Sequence, residues 1–201
     1  MHLLAFGLTV LALVTAGAEA QVKDGWQSGG TGRGTARWEV TERQVIYRGG
    51  ADFGWAVNGP PIQDGFVEVR FRPVAGQNDQ AGGVVWRWQN KDNYYVARAN
   101  ALENNVVAYR MIAVKRTDLK LKGVSGQSYG VQATVTPRAW HTLRVDFKGP
   151  EFVVRFNRDM TFTVRDETIA AAGRVGIWSK ADSVTEFEEF LFGRPGGSVS
   201  K

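Results

Sequence analysis

Beyond residue 36, apolar and polar side chains alternate with a period of two almost everywhere, and no window of a dozen residues carries the i, i+3, i+4, i+7 apolar stripe of a helix. A chain patterned this way buries one face of each strand and must build sheets. Residues 66–72 set Val67, Val69 and Phe71 against Phe66, Glu68, Arg70 and Arg72, and Pro73 closes the run. Leu143, Val145 and Phe147 alternate with Arg144, Asp146 and Lys148. Gly149 and Pro150 then turn the chain into Phe152, Val154 and Phe156, and residues 157–160 turn it again toward Phe162 and Val164. These three strands form a meander. Further strands are expected at residues 37–40, 44–47, 83–88, 94–100, 106–114, 174–178 and 185–192. Phe187 falls on the opposite parity from Phe190 and Phe192, which predicts a bulge across Glu188 and Glu189. Residues 27–35, with four glycines, read as a loop, and residues 166–172 as at most a turn or two of helix. Many short strands separated by Gly, Asn, Asp and Pro define an all-β class, with two stacked antiparallel sheets and under roughly 10% helix.

The hydrophobic set makes up 43% of the 201 residues and includes 7 Trp, 5 Tyr and 11 Phe, enough to fill one core without a staple. There is no cysteine, which excludes disulfides, thiolate metal sites and thiol nucleophiles. Residues 3–18 are apolar and end in Ala18, Glu19, Ala20, an A-x-A pattern that predicts a signal peptide over residues 1–20 and a mature chain starting at Gln21. The run is too short for a comfortable membrane span, so a secreted or periplasmic protein with no membrane span is expected, folded as one domain over residues 21–201 with its core at about 36–193. Loss of Glu19 leaves 25 basic against 19 acidic residues, a net charge of +6. A basic exported protein suits acidic glycans, nucleic acid or an anionic envelope. The Lys and Arg residues are scattered among strands, however, and no nucleic-acid motif occurs, so the charge reads as solubility and no nucleic-acid partner is expected.

Three segments carry a family likeness: GGVVWRWQNKDNYYVARANALENNV at 82–106, WHTLRV at 140–145 and AGRVGIWSKADSVTEFEEF at 172–190. Together they resemble the concanavalin A-like lectin/glucanase superfamily, and within it secreted bacterial domains related to laminin-G-like modules and to the 3-keto-disaccharide hydrolase family. The resemblance implies a jelly-roll β-sandwich over most of residues 36–193. It does not choose among lectins, hydrolases and adhesion modules, which share that sandwich.

Family 16 glucanases, which the fold also resembles, carry E-x-D-x-x-E, and this chain has no such sequence. Its densest carboxylates, Glu186, Glu188 and Glu189, interleave with phenylalanines and read as solvated charges on an edge strand. Residues 126–130 match G-x-S-x-G, yet no helix follows and no carboxylate separates them from His141, so the match reads as a glycine-rich loop. A lone histidine beside Trp140 reads as a packed or surface residue. Asp79, Asp92, Glu103 and Asp182 are scattered, so neither cofactor nor metal site is expected, although a structural calcium held partly by carbonyls has counterparts in this superfamily.

The richest chemistry lies between residues 79 and 109. A hairpin with residues 89–93 as its loop pairs Trp88 with Tyr94, Arg87 with Tyr95 and Val84 with Arg98. Sugars are held by aromatic faces and by planar amides or guanidinium groups that fork onto hydroxyl pairs. Arg87, Tyr95, Arg98, Asn100 and Asn104 are therefore the expected ligand-binding residues. The other reading places the tryptophans in the core and pairs the arginines with carboxylates. An exported, lectin-like carbohydrate-binding domain is the expected function. The family resemblance offers a glycoside hydrolase or lyase instead, in which Glu103 or His141 would be the base for elimination beside a ketone. A structural or protein-binding envelope module is the third reading.

Overall fold

The computed structural model describes residues 21–23, 25–126 and 129–195. The expected signal peptide and the serine of the G-x-S-x-G match lie outside the described residues. Along the chain run β1 (Gln21–Lys23), β2 (Trp26–Gly34), β3 (Trp38–Val40), β4 (Val45–Arg48), β5 (Ala51–Ile62), β6 (Gly65–Ala75), β7 (Ala81–Asn90) and β8 (Asn93–Asn100). There follow β9 (Asn105–Ile112), β10 (Lys115–Asp118), β11 (Val131–Gln132), β12 (His141–Lys148), β13 (Glu151–Phe156), β14 (Met160–Arg165), β15 (Gly173–Ala181) and β16 (Val184–Gly193). The large sheet has the order β1-β2-β5-β15-β7-β8-β9-β10, with β11 also on β9, and the small sheet the order β14-β13-β12-β6-β16-β4-β3. Every pairing is antiparallel. No helix occurs among the described residues, and none there is long and apolar enough to cross a membrane.

The expected meander is β12-β13-β14. Its inward residues Leu143, Val145, Phe147, Phe152 and Val154 join Val67, Val69 and Phe71 of β6 against Val84, Trp86, Tyr95, Ala97 and Ile177 of the large sheet. Trp86 stacks on Tyr95 with centroids 5.4 Å apart and meets Phe152 edge-on at 5.2 Å. Each such fully buried side chain contributes about 1.5–3 kcal/mol of transfer free energy, which makes this interlayer the main source of stability.

Four sequence expectations are corrected by tertiary context. Residues 27–35 form most of β2 rather than a loop, because Gly29 is a packing surface: a Cβ there would come within 2.7 Å of the Trp55 ring. Residues 166–172 form no helix, and the Asp166 carboxylate instead accepts from the Thr168 N–H at 2.9 Å in a side-chain-to-backbone turn. Glu186, Glu188 and Glu189 do not lie on an edge, since β16 runs between β6 and β4. Glu188 bonds Arg70 at 2.6 Å and Glu186 bonds Arg72, so the charges are cross-strand pairs. The expected bulge is present, with Glu189 at φ 50 and the register shifting between Glu188 and Leu191.

The fourth correction governs the site. Arg87 adopts φ 47, and β7 bulges there against both β8 and β15. Trp86 therefore pairs with Tyr95 and Gly83 with Arg98, one residue away from the sequence register, and the turn shrinks to Lys91 and Asp92. The slip sends Trp86 and Tyr95 into the interlayer core, and Tyr94, Trp88 and Arg98 to the outer face of the large sheet.

That outer face is also apolar. Trp55, Val57, Val85, Tyr94, Val96, Val107, Tyr109, Met111 and Trp178 form a second cluster, flanked by Phe53 and Trp88. The Tyr94 hydroxyl lies 3.3 Å from Thr31 Oγ1, and Thr31 also donates to the Lys91 carbonyl. In the sheet order, β2 stands four places from β8, roughly 19 Å along a flat sheet. A tyrosine cannot span that distance, so the large sheet curls until the β7-β8 tip meets β2. Its outer face is the concave one.

Candidate functional site

At one end of the concave face, one cross-strand row aligns Trp55, Trp178, Gly83, Arg98 and Val107, and the next contains Phe53, Lys180 and, across β7, Asn100 and Asn105. Arg98 is only 1% exposed. Its Nη2 donates to Glu103 at 2.7 Å, to the Tyr109 hydroxyl at 3.0 Å and to the Tyr129 hydroxyl at 3.3 Å, while Nη1 donates to Asn105. Glu103, in the turn between β8 and β9, also accepts from Asn100 at 2.9 Å and from Asn105 at 3.2 Å. Asn100 donates to Asp79 at 2.8 Å, and Asp79 pairs with Lys180 at 2.8 Å. The two tyrosine hydroxyls are 2.5 Å apart. Two carboxylates, two cations, two amides and two phenols thus meet in one continuous network beside a wall of aromatic rings. Glu103, with its side chain 36% exposed, and exposed Tyr129 bring the network to solvent.

The electrostatics follow from these contacts. Burial pushes the Glu103 carboxyl up, but the Arg98 charge, hydrogen bonds from Arg98 and Asn105, and more distant Lys180 outweigh it and hold the group below its ordinary value. Glu103 is therefore ionised at neutral pH and a weak base. Burial drives the Tyr109 phenol upward and its bond with Tyr129 adds to this, with the Arg98 charge opposing, so Tyr109 stays protonated.

The sequence-derived set separates into different places. Arg98, Asn100 and Glu103 share the network. Arg87 lies elsewhere, 2% exposed, and donates to the carbonyls of Gln63 at 3.0 Å, Ile169 at 2.9 Å and Gly149 at 2.7 Å, with Asp64 at 3.3 Å. Tyr95 donates to Asp166 at 2.6 Å and accepts from the Ile169 N–H at 2.9 Å. Both residues close one end of the sandwich. Asn104, at φ 49, accepts from the Val135 N–H at 3.1 Å through its side chain and ties the β8-β9 turn to the segment after β11. His141 belongs to the small sheet: Nε2 donates to the Thr136 carbonyl at 2.9 Å, Nδ1 faces the Asn157 amide at 3.3 Å, and the ring stacks on Phe156 at 5.2 Å. Of the four carboxylates scattered along the sequence, Asp79 and Glu103 join one network through Asn100, and Asp182 accepts from the Asp79 backbone. Asp182 accepts backbone N–H groups of residues 77–79, Asp92 pairs with Lys91, and no metal-binding group of three or more His, Asp or Glu forms among the described residues.

Tyr109, Tyr129, Lys180 and Asp79 were not singled out from sequence as ligand contacts. Parity along β9 would have placed Tyr109 on the face of Asn105, while nothing local points to Tyr129. A cavity of about 810 Å³ opens on the outer face of the small sheet, between Phe66, Arg144, Lys148, Glu151 and Arg165. Some of its charges pair with one another, such as Arg144 with Asp146 at 2.7 Å, but none of its charged residues is buried, so it lacks the convergent, buried polar groups of the concave face.

These geometries carry a pH dependence. The Asp166 carboxyl is pushed up by burial, yet bonds from Tyr95, Thr168 and Arg110 hold it below its ordinary 3.8. Groups with a depressed folded pKa stabilise the native state fully above their unfolded value, and that stability is lost as pH falls through the folded value. Unfolding midpoints in urea should therefore hold from neutral pH down to about 4.5 and fall steadily below it, as Glu103 and Asp166 bind protons. Asp166→Asn should flatten the part of the decline below about pH 3.8. An unchanged slope in that variant would remove Asp166 from the account.

A family model for the 3-keto-alpha-glucoside-1,2-lyase-like domain matches residues 19–189. The chain belongs to this family. Among solved structures it is similar to the carbohydrate-binding module CBM66 from Bacillus subtilis, at 16% identity and a TM-score of 0.68, covering 84% of this chain and 94% of that one. A Bacillus licheniformis beta-glucanase matches at 11% identity and TM-score 0.54, covering 87% and 94% of the two chains. A GH43 protein from the same species matches at 10% identity and TM-score 0.55, over 88% of this chain and 38% of that one. At such identities the likeness establishes the fold of this family member, a concanavalin A-like jelly roll. Comparison with curated proteins gave no match.

Proposed function

We propose that this protein is an exported domain, cleaved before Gln21, that binds a carbohydrate at the Arg98–Glu103–Asn100–Tyr129 end of the concave face. The observation that carries the reading is the convergence there of ionised, amide and phenol groups at the edge of an aromatic wall, the pairing that sugar hydroxyls and C–H faces require. Membership of a glucoside-directed family and the likeness to a carbohydrate-binding module support it. Titration calorimetry against neutral sugars, including 3-keto-α-glucosides, tests it. Glu103→Gln should weaken binding about tenfold, the worth of one charge-assisted hydrogen bond, when measured at a temperature where the variant remains folded, and should lower the melting temperature because buried Arg98 loses its counter-charge. Absence of binding by any of these sugars would overturn the reading.

A second reading is favoured by the presence of carboxylates and cations in the same network. In a 1,2-elimination on a 3-keto-glucoside, a base removes the C2 proton, the C1–O bond breaks, a C1=C2 double bond forms and the leaving oxygen takes up a proton. Ionised Glu103 would accept the C2 proton while Arg98 or Lys180 faces the oxygen of the enolate. Of the two bases considered from sequence, His141 has both ring nitrogens engaged inside the small sheet, which leaves Glu103. Proton NMR of a 3-keto-α-glucoside incubated with the protein separates the readings. Product formation abolished by Glu103→Gln, with binding retained, supports the lyase, and binding without product supports the binding domain.

A further inference from the structure

Arg116 stands out among the cations of the concave face. It lies on β10, the edge strand, opposite Met111 of β9, so it leans over the aromatic wall. Its guanidinium carbon sits 4.5 Å from the centroid of the Tyr109 ring and 5.0 Å from that of Phe53. Those two rings belong to strands on opposite flanks of the curled sheet, so Arg116 bridges the trough. It is half-buried, yet among the described residues no carboxylate and no hydrogen-bond acceptor reaches it, and Asp118, two positions along on the same face, forms no ion pair with it. Arg98 and Lys180 differ in this respect, each being matched by its own carboxylate.

The unmet demand on this face is for acceptors. Among the described residues, Arg116 Nη1, Arg98 Nε and the indole N–H groups of Trp55 and Trp88 are buried and have no hydrogen-bond partner. Each such donor costs about 1–3 kcal/mol while it stays unpaired, and all four lie on the concave side. With the Arg98–Glu103 and Lys180–Asp79 pairs matched, Arg116 is the cation of this face that no described carboxylate reaches within ion-pair distance, and two ring faces hold it in orientation. The Tyr109 ring also lies 5.8 Å from the Arg98 guanidinium, which places Arg116 one aromatic ring away from the sugar site proposed above.

We propose that Arg116 recognises an anionic group on the ligand, so that the concave face prefers a carboxylate-bearing sugar, of the uronic acid class, over its neutral counterpart. This rests on the carbohydrate-binding reading and adds its charge specificity. A guanidinium already stacked between two rings loses little freedom when it forks onto a carboxylate, and the partly apolar surroundings screen that contact less than open water does.

The test is titration of the purified chain with methyl α-glucuronide and methyl α-glucoside, by calorimetry or by NMR shift changes, in low and high salt. The glucuronide should bind at least tenfold more tightly, and its affinity alone should fall as salt rises. Arg116→Gln should bring the two affinities to within about twofold by lowering only that for the glucuronide, and Arg116→Lys should retain part of the preference. Equal binding of the two sugars by the wild-type chain, or a preference that survives Arg116→Gln, overturns this inference and leaves the sugar-binding reading standing. Binding of neither sugar overturns this inference, and the sugar-binding reading is then decided by the neutral sugars and 3-keto-α-glucosides named above. The wild-type comparison and its salt dependence decide the matter even if a variant fails to fold.

Discussion

Arg87→Ala is expected to destabilise the fold by about 3–5 kcal/mol in urea unfolding, a large share of the stability of a domain this size. Its guanidinium is the common partner of three carbonyls from three separate segments, at residues 63, 149 and 169, and also pairs with Asp64. The Phe152 ring lies beneath it, 5.5 Å from centroid to guanidinium carbon. Removing the side chain leaves those carbonyls facing a dry gap, where each forfeits its hydrogen bond without gaining water. The backbone offers an internal control, because Arg87 holds φ 47, a conformation that costs an L-residue about 1–2 kcal/mol. Arg87→Gly should therefore be about 1 kcal/mol less destabilising than Arg87→Ala, the reverse of the usual order in a strand. If both variants unfold at the wild-type midpoint, Arg87 is not the stitch the contacts describe.

Arg98→Ala should register in both stability and binding. The side chain is as buried as that of Arg87, but its partners are the ligand-facing groups: Glu103, Tyr109, Tyr129 and Asn105. Loss of a buried cation from such a network costs about 3–5 kcal/mol, moderated here because Glu103 reaches solvent and can rehydrate. Glu103, Asn105 and Tyr129 then lose the group that orients them, so sugar affinity should fall more than tenfold at a temperature where the variant remains folded. Arg98→Lys keeps the charge and loses the fork that serves several acceptors at once, and should recover stability more than affinity. A folded Arg98→Ala protein with unchanged sugar affinity would confine Arg98 to the scaffold.

Much of this architecture was legible along the chain. Strict alternation in β6, β12 and β13 assigns an inward and an outward face to each strand, and in the structure the same residues form the interlayer core. The parity break between Phe187 and Phe190 located a bulge, because a strand whose apolar residues change parity must gain a residue to keep them on one side. Arg98, Asn100 and Glu103 were legible as a group because they share one strand and the turn that ends it.

The bulge at Arg87 left no comparable trace, since both registers of the β7-β8 hairpin bury aromatic side chains. The glycines of β2 misled local reading for a related reason. Glycine is poor strand material by propensity, and only the Trp55 ring, contributed by the neighbouring strand, makes a missing Cβ advantageous.

Local alternation and motifs were enough to specify an all-β sandwich, the inward faces of most strands, and the family to which the chain belongs. Tertiary structure alone decided which side of the large sheet is concave, sent Arg87 and Tyr95 to one end of the sandwich and Arg98 to the other, and brought Tyr129, Lys180, Asp79 and Arg116 to the same face as Glu103. The physical reason is that alternation encodes only whether a side chain faces in or out. Strand order, sheet curl and the register slip at a single left-handed residue depend on packing between segments tens of residues apart, and the neighbours of each outward-facing group follow from that packing.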